Sequence, residues 1–379
     1  MDHADQRESV RKEQEMEKMK NCMGKGLIAV LLAVGVVGIV LTGVSYKAWT
    51  EKQAASGTEA AVAADVTGTV SEELTKTAQA AGVTPVELHG ALHVSGTDLK
   101  DSNGDKFRIK GVSTHGIAWF PQYVNKDAFR TLRDDYGINT IRLAMYTNKS
   151  EGYGPAAVKK VQEGVKYATE LGMYVIIDWH ILNDGNPNQH KSEAKKFFTR
   201  MSKKYGSRKN VIYEICNEPN GNVTWDRQIK PYAKTIIKTI RRHSKNAVIV
   251  IGTPTWSQDV DVVAQSPLKG KNLMYALHFY AGTHKEWNQE KLKTAHKKGL
   301  PVMVTEFSIC DASGNGALDK ASGNKWMRLL DKYNISYAAW SLCNKNESSA
   351  LIDSACSKTS GWTSGDLSAA GKWYFSKTK

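Results

Sequence analysis

Short apolar runs alternate with charged amphipathic stretches along the chain from Leu88 onward. The apolar runs suit strands buried on both faces, whereas stretches such as AAVKKVQEGVKYATELG repeat apolar residues at intervals of three and four, as surface helices do. Eight apolar runs follow one another about 32 residues apart, which is the spacing expected when roughly 250 residues form eight strand–helix units. The pattern predicts an α/β fold, a (β/α)8 TIM barrel.

The carboxyl ends of these runs carry most of their polar and aromatic side chains. One residue represents each end, in chain order: His115, Arg142, His180, Glu218, Trp256, Tyr280, Glu306 and Trp340. Turn chemistry alone would place glycine, asparagine and serine at such positions. Because catalytic residues of such barrels lie at the carboxyl ends of the strands, we expect these side chains to meet in one site.

The segment before the first run, ALHVSGTDLKDSNGDKFRIKGV, alternates apolar and polar residues around Asn103 and Gly104. An Asn-Gly pair between alternating residues is typical of a β-hairpin turn. We therefore expect an N-terminal β-hairpin that closes the bottom of the barrel.

Residues 26–44 read GLIAVLLAVGVVGIVLTGV, a nearly unbroken apolar stretch. About twenty apolar residues are enough to cross a bilayer as a helix. Six Lys or Arg residues lie before the stretch and two lie just after it, a bias that keeps the N-terminus in the cytoplasm. We predict a transmembrane anchor at residues 26–46, a cytoplasmic tail at residues 1–25, and a barrel outside the cell that remains attached to the cell membrane.

The alternative is a signal peptide whose cleavage releases a secreted protein, but the apolar stretch is longer than the usual core of about 7–15 residues. Residues 47–87 are rich in Ala, Thr and Gly and contain little that could pack, so they are interpreted as an extracellular low-complexity linker. The barrel is then expected at residues 88–379.

Composition and charge limit the kinds of partner and cofactor that we expect. With 41% hydrophobic and 24% charged residues, the 379-residue chain resembles a folded globular protein, and we expect a monomer. Its net charge of +14 comes from lysines spread over several predicted helices, so we expect no nucleic-acid partner. The five cysteines form no CxxC pair and have no histidine at ligand spacing. We expect no metal, no cofactor and mostly free thiols, with one disulfide left open.

The strand ends include two carboxylates, Glu218 and Glu306, and the chain has neither a phosphate-binding loop nor a Ser-His-Asp order. Glycoside hydrolysis needs one carboxylic acid that protonates the leaving oxygen and one carboxylate that attacks or activates water. Aromatic rings suit the faces of sugars, and amide and imidazole groups suit their hydroxyls. The residues therefore favour a hydrolase of carbohydrates.

Seven motifs resemble, in order and spacing, those of the glycoside hydrolase family 5 cellulases: GVSTHG, IRLAMY, IIDWHILNDGNPN, YEICNEPNG, MYALHFYAGTH, VTEF and WSLCNKNES. The resemblance extends from about Leu88 to the C-terminus. It implies a retaining endo-β-1,4-glucanase that acts on a β-glucan, with Glu218 as the acid/base and Glu306 as the nucleophile. It also implies that the reacting sugar stacks on Trp340 and that four side chains contact flanking sugars: Trp119, Trp256, Lys345 and Glu347.

Two carboxyl groups about 5–5.5 Å apart, as in a retaining enzyme, raise each other's pKa, so Glu306 needs partners that keep it ionised. Arg142 and Tyr280 are the candidates for this role. Asn217 is expected to bind the sugar 2-hydroxyl, a contact that strengthens in the transition state. Four more side chains are expected to orient the carboxylates or to bind substrate: His115, Tyr146, His180 and His278.

Glu214, Cys216 and Glu218 share strand parity, so all three are expected to point toward the barrel axis at successive heights. Glu214 lies inside the strand and is interpreted as a structural contact, as is Asp178. Glu218 lies at the mouth of the barrel, just before Pro219.

Several positions depart from common family patterns: Cys216 precedes Asn-Glu, Cys343 follows the sugar-stacking tryptophan, and the residues SIC follow EF. They remove no catalytic group but leave substrate preference open, so mannan, xylan and mixed-linkage glucan are alternatives, although the NKNE segment favours glucan. A membrane-tethered barrel that binds carbohydrate without cleaving it is the alternative from another class. The presence of both glutamates together with Asn217 disfavours it.

Overall fold

Eight parallel strands close into a barrel in the computed structural model, which describes residues 82–378. Strands β1 His93–Ser95 and β2 Asp98–Lys100 form a separate antiparallel pair. The eight barrel strands are β3 Lys110–Thr114, β4 Thr140–Tyr146, β5 Tyr174–His180, β6 Val211–Glu214, β7 Ile249–Ile251, β8 Leu273–Tyr280, β9 Val302–Ser308 and β10 Tyr337–Leu342. From β3 to β10 each strand pairs in parallel with the next, and β10 pairs back with β3. The predicted (β/α)8 barrel is confirmed.

Helices follow most barrel strands and bury their apolar faces against the outward side of the sheet. Helix α1 Pro85–His89 precedes all strands, and the later helices are α2 Lys126–Tyr136, α3 Pro155–Glu170, α4 Lys191–Tyr205, α5 Lys230–Arg241, α6 Val260–Val263, α7 Glu286–Lys297, α8 Lys320–Lys332 and α9 Ala369–Phe375. Short 3-10 helices lie at Pro121–Tyr123, Lys149–Glu151 and Ser364–Asp366, and a π-helical turn lies at Trp225–Ile229. One large core cluster joins residues of these helices, such as Phe129 and Val161, to outward strand residues such as Leu143 and Val175.

The N-terminal hairpin lies at the amino ends of the barrel strands. Leu92 and Leu99 pack in a second core cluster with Ile176, Met274 and Met303, which lie in the first halves of their strands. The hairpin turn itself differs from the prediction, because Ser95 pairs with Asp98 and the chain reverses at Gly96. The Asn-Gly pair makes a second turn one step later, where Lys100 bridges to Lys106.

The described fold begins slightly earlier than the predicted boundary at Leu88. Thr84 caps α1, and its backbone and hydroxyl groups exchange hydrogen bonds with Glu87 in a capping box. The last few residues of the predicted linker 47–87 are therefore helical. No helix within residues 82–378 is long and apolar enough to cross a membrane, and the predicted anchor at residues 26–46 lies outside the described residues.

Strand β6 ends at Glu214, four residues before Glu218, so the predicted strand parity fails beyond Glu214. Cys216 does not point toward the barrel axis; it belongs to the core cluster between the barrel and its helices. The chain leaves β6 in close contact with Gly252, where an added Cβ would lie 1.9 Å from the Cys216 carbonyl oxygen. The residue before Asn217 thus packs outward, and the four described cysteines, Cys216, Cys310, Cys343 and Cys356, are free.

Candidate active site

A cavity of about 670 Å³ opens at the carboxyl ends of the barrel strands. Twelve of the fourteen site residues predicted from the sequence line it: His115, Trp119, Tyr146, His180, Glu218, Trp256, His278, Tyr280, Glu306, Trp340, Lys345 and Glu347. The other two, Arg142 and Asn217, are fully buried and lie behind the wall of the cavity. The fold therefore brings twelve of the predicted residues to one cavity, whereas Arg142 and Asn217 lie deeper in the barrel.

Arg142 lies within β4, not at its end, and its guanidinium is enclosed by acceptors. Its Nε donates to Glu214 Oε2 at 2.7 Å, and its Nη1 donates to Glu306 Oε2 at 3.0 Å. Its Nη2 donates to Asn217 Oδ1 at 2.5 Å and lies 3.0 Å from Asp178 Oδ2. A buried cation is tolerated only when its charge and donors are satisfied in this way. Arg142 therefore lies behind the cavity wall, and its predicted contact with Glu306 is present.

Glu306 accepts two hydrogen bonds, one on each carboxylate oxygen. Arg142 donates to Oε2, and the Tyr280 hydroxyl donates to Oε1 at 2.8 Å. Burial alone would raise the pKa of Glu306, but the positive charges of His278 and Arg142 outweigh it and lower the pKa below its ordinary value. Glu306 is thus held as a carboxylate at neutral pH.

Glu218 lies beyond the end of β6 and has a different environment. Its Oε1 lies 2.8 Å from His278 Nδ1, and neither of its carboxylate oxygens contacts Arg142 among the described hydrogen bonds and ion pairs. Burial raises the pKa of Glu218 to about 7, and the negative charge of Glu306 adds to the increase, while the hydrogen bond with His278 opposes it. Glu218 can therefore hold a proton near neutral pH, as a general acid must.

A chain of hydrogen bonds fixes the orientation of His278. Its Nε2 lies 2.8 Å from the Thr305 hydroxyl, and that hydroxyl donates to Glu214 Oε1 at 2.7 Å. Since the hydroxyl proton goes to Glu214, Nε2 must carry a proton and donate to Thr305. Burial would lower the pKa of His278, but its contacts with Glu214 and Glu218 raise it to about 9. An imidazolium here donates to one oxygen of Glu218 and leaves the acid proton on the other.

The two glutamates lie close to each other. One carboxylate oxygen of Glu218, one of Glu306 and a ring nitrogen of His278 all lie within 4.8 Å of one another. Retaining glycosidases have carboxyl groups about 5–5.5 Å apart, whereas inverting enzymes need about 6.5–9.5 Å to hold a water between them. An oxygen–oxygen distance of no more than 4.8 Å favours the shorter class.

Asn217 is not exposed to the cavity. Its Oδ1 accepts from Arg142, and its Nδ2 lies 3.0 Å from the Ile181 carbonyl and 3.2 Å from His180 Nε2. Burial lowers the pKa of His180 to about 3, so this imidazole is neutral. Its Nδ1 donates to Asp178 Oδ2 at 2.7 Å, and its Nε2 accepts from Asn217. In this geometry the Asn217 amide is hydrogen-bonded to Arg142, the Ile181 carbonyl and His180. Its predicted contact with a sugar hydroxyl requires the loss of one of these hydrogen bonds.

Aromatic rings line part of the cavity. Trp340 stacks on His180 with ring centroids 5.2 Å apart and an interplanar angle of 16°, and the Tyr146 ring centroid lies 4.3 Å from that of His180. Trp119 contacts Tyr146 at 4.6 Å. These rings provide apolar faces beside the two glutamates, as the sequence predicts for sugar stacking.

Trp256 is presented by a left-handed turn at Pro254–Ser257. Thr255, Trp256 and Ser257 have φ values of 57°, 54° and 57°, and each such residue costs on the order of 1–2 kcal/mol when it is not glycine. Hydrogen bonds hold the turn in place, from Trp256 N to the Pro219 carbonyl at 3.0 Å and from Ser257 Oγ to the Asn217 carbonyl at 2.6 Å. The strained turn thus ties the exposed Trp256 ring to the loop that carries Glu218.

A second polar group lies beside Trp340. His115 Nδ1 accepts from Gly116 N, so its Nε2 carries the proton and faces Glu347 Oε1 at 3.5 Å. Lys345 Nζ lies 2.5 Å from Glu347 Oε2. With Cys343, these side chains form one of two groups that could hold a metal ion, and Glu218, His278 and Glu306 form the other. In both groups a cationic side chain already contacts a carboxylate that a metal ion would need. The absence of a metal stays a prediction.

Sequence reasoning missed several residues of the cavity wall, among them Glu151, Asn183, Gln258 and His284. Most lie on the loops that follow barrel strands, where position along the chain does not reveal which side chain turns inward. His284 is the last residue of the motif MYALHFYAGTH, and its imidazole was the one signal in the sequence that could have identified it as a site residue. Thr305 was also missed, because a threonine inside an apolar run looks like an ordinary strand residue.

Comparisons with known proteins agree with this geometry. A sequence profile described as Cellulase (glycosyl hydrolase family 5) matches residues 100–346. The chain is 49% identical over 285 residues to an endoglucanase of Clostridium saccharobutylicum and 46% identical over 296 residues to endoglucanase 5 of Pectobacterium carotovorum subsp. carotovorum. These alignments cover 74% and 78% of this chain but only 63% and 58% of the two relatives, so the chain spans less than two thirds of their length.

The fold is also similar to a solved structure, the catalytic domain of a Thermobifida fusca endoglucanase described in complex with cellotetraose. The TM-score is 0.74 at 34% identity, and the match covers 78% of this chain and 99% of that domain. With the profile spanning more than half of the sequence, the chain belongs to glycosyl hydrolase family 5, the cellulase family.

Proposed function

We propose that the chain is a retaining endo-β-1,4-glucanase that hydrolyses internal bonds of cellulose or related β-glucans by double displacement. The observation that carries this proposal is the pair of glutamates, whose oxygens lie within 4.8 Å and whose environments move their pKa values in opposite directions. One carboxylic acid and one carboxylate at this separation match the two roles of a retaining glycosidase.

In the first step Glu306 attacks the anomeric carbon while Glu218 transfers its proton to the glycosidic oxygen, which leaves with the rest of the chain. Tyr280 and Arg142 hold the attacking carboxylate, because each donates to one of its oxygens. In the second step Glu218, now a carboxylate, removes a proton from water as that water attacks the glycosyl–Glu306 ester. The products are a sugar with retained configuration, and Glu218 and Glu306 in their starting states.

Two kinds of observation support the proposed preference for β-1,4-glucan: the names of similar proteins, and an ion pair at the cavity wall. Relatives at 46–49% identity are named endoglucanases, and the related Thermobifida fusca structure is described with cellotetraose. Lys345 and Glu347 form an ion pair at the cavity wall, where they can bind sugar hydroxyls. Mannan, xylan and mixed-linkage glucan remain the alternatives for the same catalytic pair.

A comparison of polysaccharides tests the substrate. The purified full chain is expected to release reducing ends from carboxymethyl cellulose much faster than from mannan or xylan, and to lower the viscosity of the solution early, because internal bonds are cut. Faster release from mannan or xylan would replace glucan by that polymer, and no release from any of them would contradict the proposed function.

Glu306→Gly tests the nucleophile. The variant is expected to lose nearly all hydrolysis and to regain turnover on an activated aryl β-glycoside when azide is added, because azide fits the space of the missing carboxylate and attacks the anomeric carbon directly. NMR of the product should show a glycosyl azide of inverted anomeric configuration. The parent protein with azide is the control and should yield none. Normal hydrolysis by the variant would exclude Glu306 as the nucleophile.

Glu218→Ala tests the acid through kcat/KM, which reports the first bond cleavage. On glucan the value should fall about 10²- to 10⁴-fold, whereas an aryl glycoside with a good leaving group should be largely spared because it needs no proton. In the parent, kcat/KM should decline as pH rises through about 7, where Glu218 loses its proton, and the variant should lack this decline. Glu151→Gln, which changes another carboxyl group of the cavity wall, is the control. Its kcat/KM should still decline as pH rises through about 7, as in the parent. Equal losses on both substrates would argue against the acid role.

We also propose that residues 26–46 anchor the enzyme in the cell membrane with the barrel outside, because the apolar stretch is long enough to span a bilayer and its basic flank lies on the N-terminal side. In a bacterial host, the activity should sediment with membranes, resist extraction by salt and dissolve in detergent. Active protein in the medium that begins after residue 46 would show instead that the segment is a cleaved signal peptide.

A further inference from the structure

The exposed tryptophans of the described residues line the cavity or contact a residue of its wall. Six of the nine tryptophans between residues 82 and 378 are buried, and the three exposed ones are Trp119 at 47%, Trp256 at 45% and Trp287 at 49%. Trp119 and Trp256 line the cavity. Trp287 lies just outside it, with its ring edge-on to His284 at 5.6 Å, and His284 is part of the cavity wall. Because single exposed aromatic residues scatter over ordinary surfaces, their concentration around one opening indicates a binding surface.

A chain of polar contacts joins Trp287 to Trp256. Lys291 Nζ lies 5.1 Å from the centroid of the Trp287 ring and donates to Asp259 Oδ1 at 2.6 Å. The other oxygen of Asp259 accepts from Thr255 Oγ1 at 2.6 Å, and Thr255 directly precedes Trp256. The ammonium group covers one side of the Trp287 ring, and half of the side chain stays open to solvent. Trp256 and Trp287 are therefore held as neighbours on one rim.

This rim lies on the side of the general acid. Trp256 is hydrogen-bonded to the carbonyl of Pro219, the residue after Glu218. Since Glu218 protonates the oxygen of the leaving group, the departing part of the glucan chain lies beside Glu218 and extends along this rim. Trp119 and Tyr146 lie against each other in a different part of the wall, next to Trp340 and His180.

His284 adds a hydrogen-bond donor to the same place. Its Nδ1 accepts from the Tyr280 backbone N–H at 2.7 Å, so its Nε2 carries the proton when the ring is neutral. Burial and the positive charge of Lys291 lower the pKa of His284 to about 4, which keeps the ring neutral at the working pH. No described hydrogen bond occupies Nε2. An aromatic face beside an N–H donor suits a sugar, whose C–H face stacks while a hydroxyl accepts the hydrogen bond.

We propose that Trp287 and His284 form an additional subsite for a β-linked glucosyl unit of the departing chain, beyond the unit that contacts Trp256. The proposal rests on the proposed glucanase function and adds a dependence on chain length. Substrates long enough to reach Trp287 gain binding energy there, and shorter ones do not.

The test compares substrates of different length. The ratio of kcat/KM for cellohexaose to kcat/KM for cellotriose is expected to fall roughly 3- to 10-fold in Trp287→Ala, the size of one aromatic stacking contact. Trp287→Tyr should restore most of the ratio, because a tyrosine ring still stacks. Val262→Ala, at another exposed apolar side chain on the neighbouring helix α6, is the matched control and should leave the ratio unchanged.

Binding provides a second measurement that does not depend on turnover. In a Glu306→Gln background, calorimetry should show weaker binding of cellohexaose after Trp287→Ala with little change for cellotriose. An unchanged length ratio together with unchanged cellohexaose affinity would overturn the subsite, and so would an equal loss for both substrates. A parent chain that hydrolyses no β-1,4-glucan would instead refute the proposed function, so the two failures are distinguishable.

Discussion

One buried guanidinium organises the catalytic end of the barrel. Arg142 has no exposure to solvent and contacts three carboxylates, Asp178, Glu214 and Glu306. Loss of one partner from such a buried group costs about 3–5 kcal/mol, because a charge is left unpaired away from water. The carboxylates therefore stay where Arg142 holds them. Glu218 lies outside this set, and that difference separates the two glutamates chemically.

The height of each group along the strands decides its role. Arg142 and Glu214 lie within or at the end of their strands, below the cavity, and neutralise each other. Glu306 on β9 is in register with His278 on β8, and it reaches both the buried cation and the cavity. Glu218 lies beyond the end of β6, and the described side-chain hydrogen bond of its carboxyl group is to the His278 imidazole. Burial raises the pKa of Glu218, whereas the positive charges of His278 and Arg142 lower the pKa of Glu306 below its ordinary value despite its burial.

Much of this arrangement could be predicted from the sequence, because the polar residue at each strand end interrupts an otherwise apolar run. The barrel, the two glutamates and the contacts of Arg142 and Tyr280 with Glu306 followed from that pattern. Depth was harder to predict: Arg142 and Asn217 looked like residues of the cavity, but only the three-dimensional contacts show that they are enclosed by other side chains.

Other features depend on distances that the sequence does not encode directly. The outward position of Cys216 goes with the close approach of Gly252, a contact between the segments that follow β6 and β7. The exposure of Trp256 requires three consecutive left-handed residues, none of them glycine, which local preferences would not predict. His284 and Trp287 are only three residues apart, but the sequence does not show that their rings contact each other beside the cavity. The N-terminal hairpin turns at Gly96 because the pairing of Ser95 with Asp98 fixes the register.

The surroundings of the two glutamates move their pKa values in opposite directions. Carbon-13 NMR of glutamate side-chain carboxyl groups, assigned with Glu218→Gln and Glu306→Gln variants, measures this directly. The signal of Glu306 is predicted to titrate below the ordinary value of about 4.3, and that of Glu218 near 7. Ordinary values for both groups, or a lower pKa for Glu218 than for Glu306, would contradict the account.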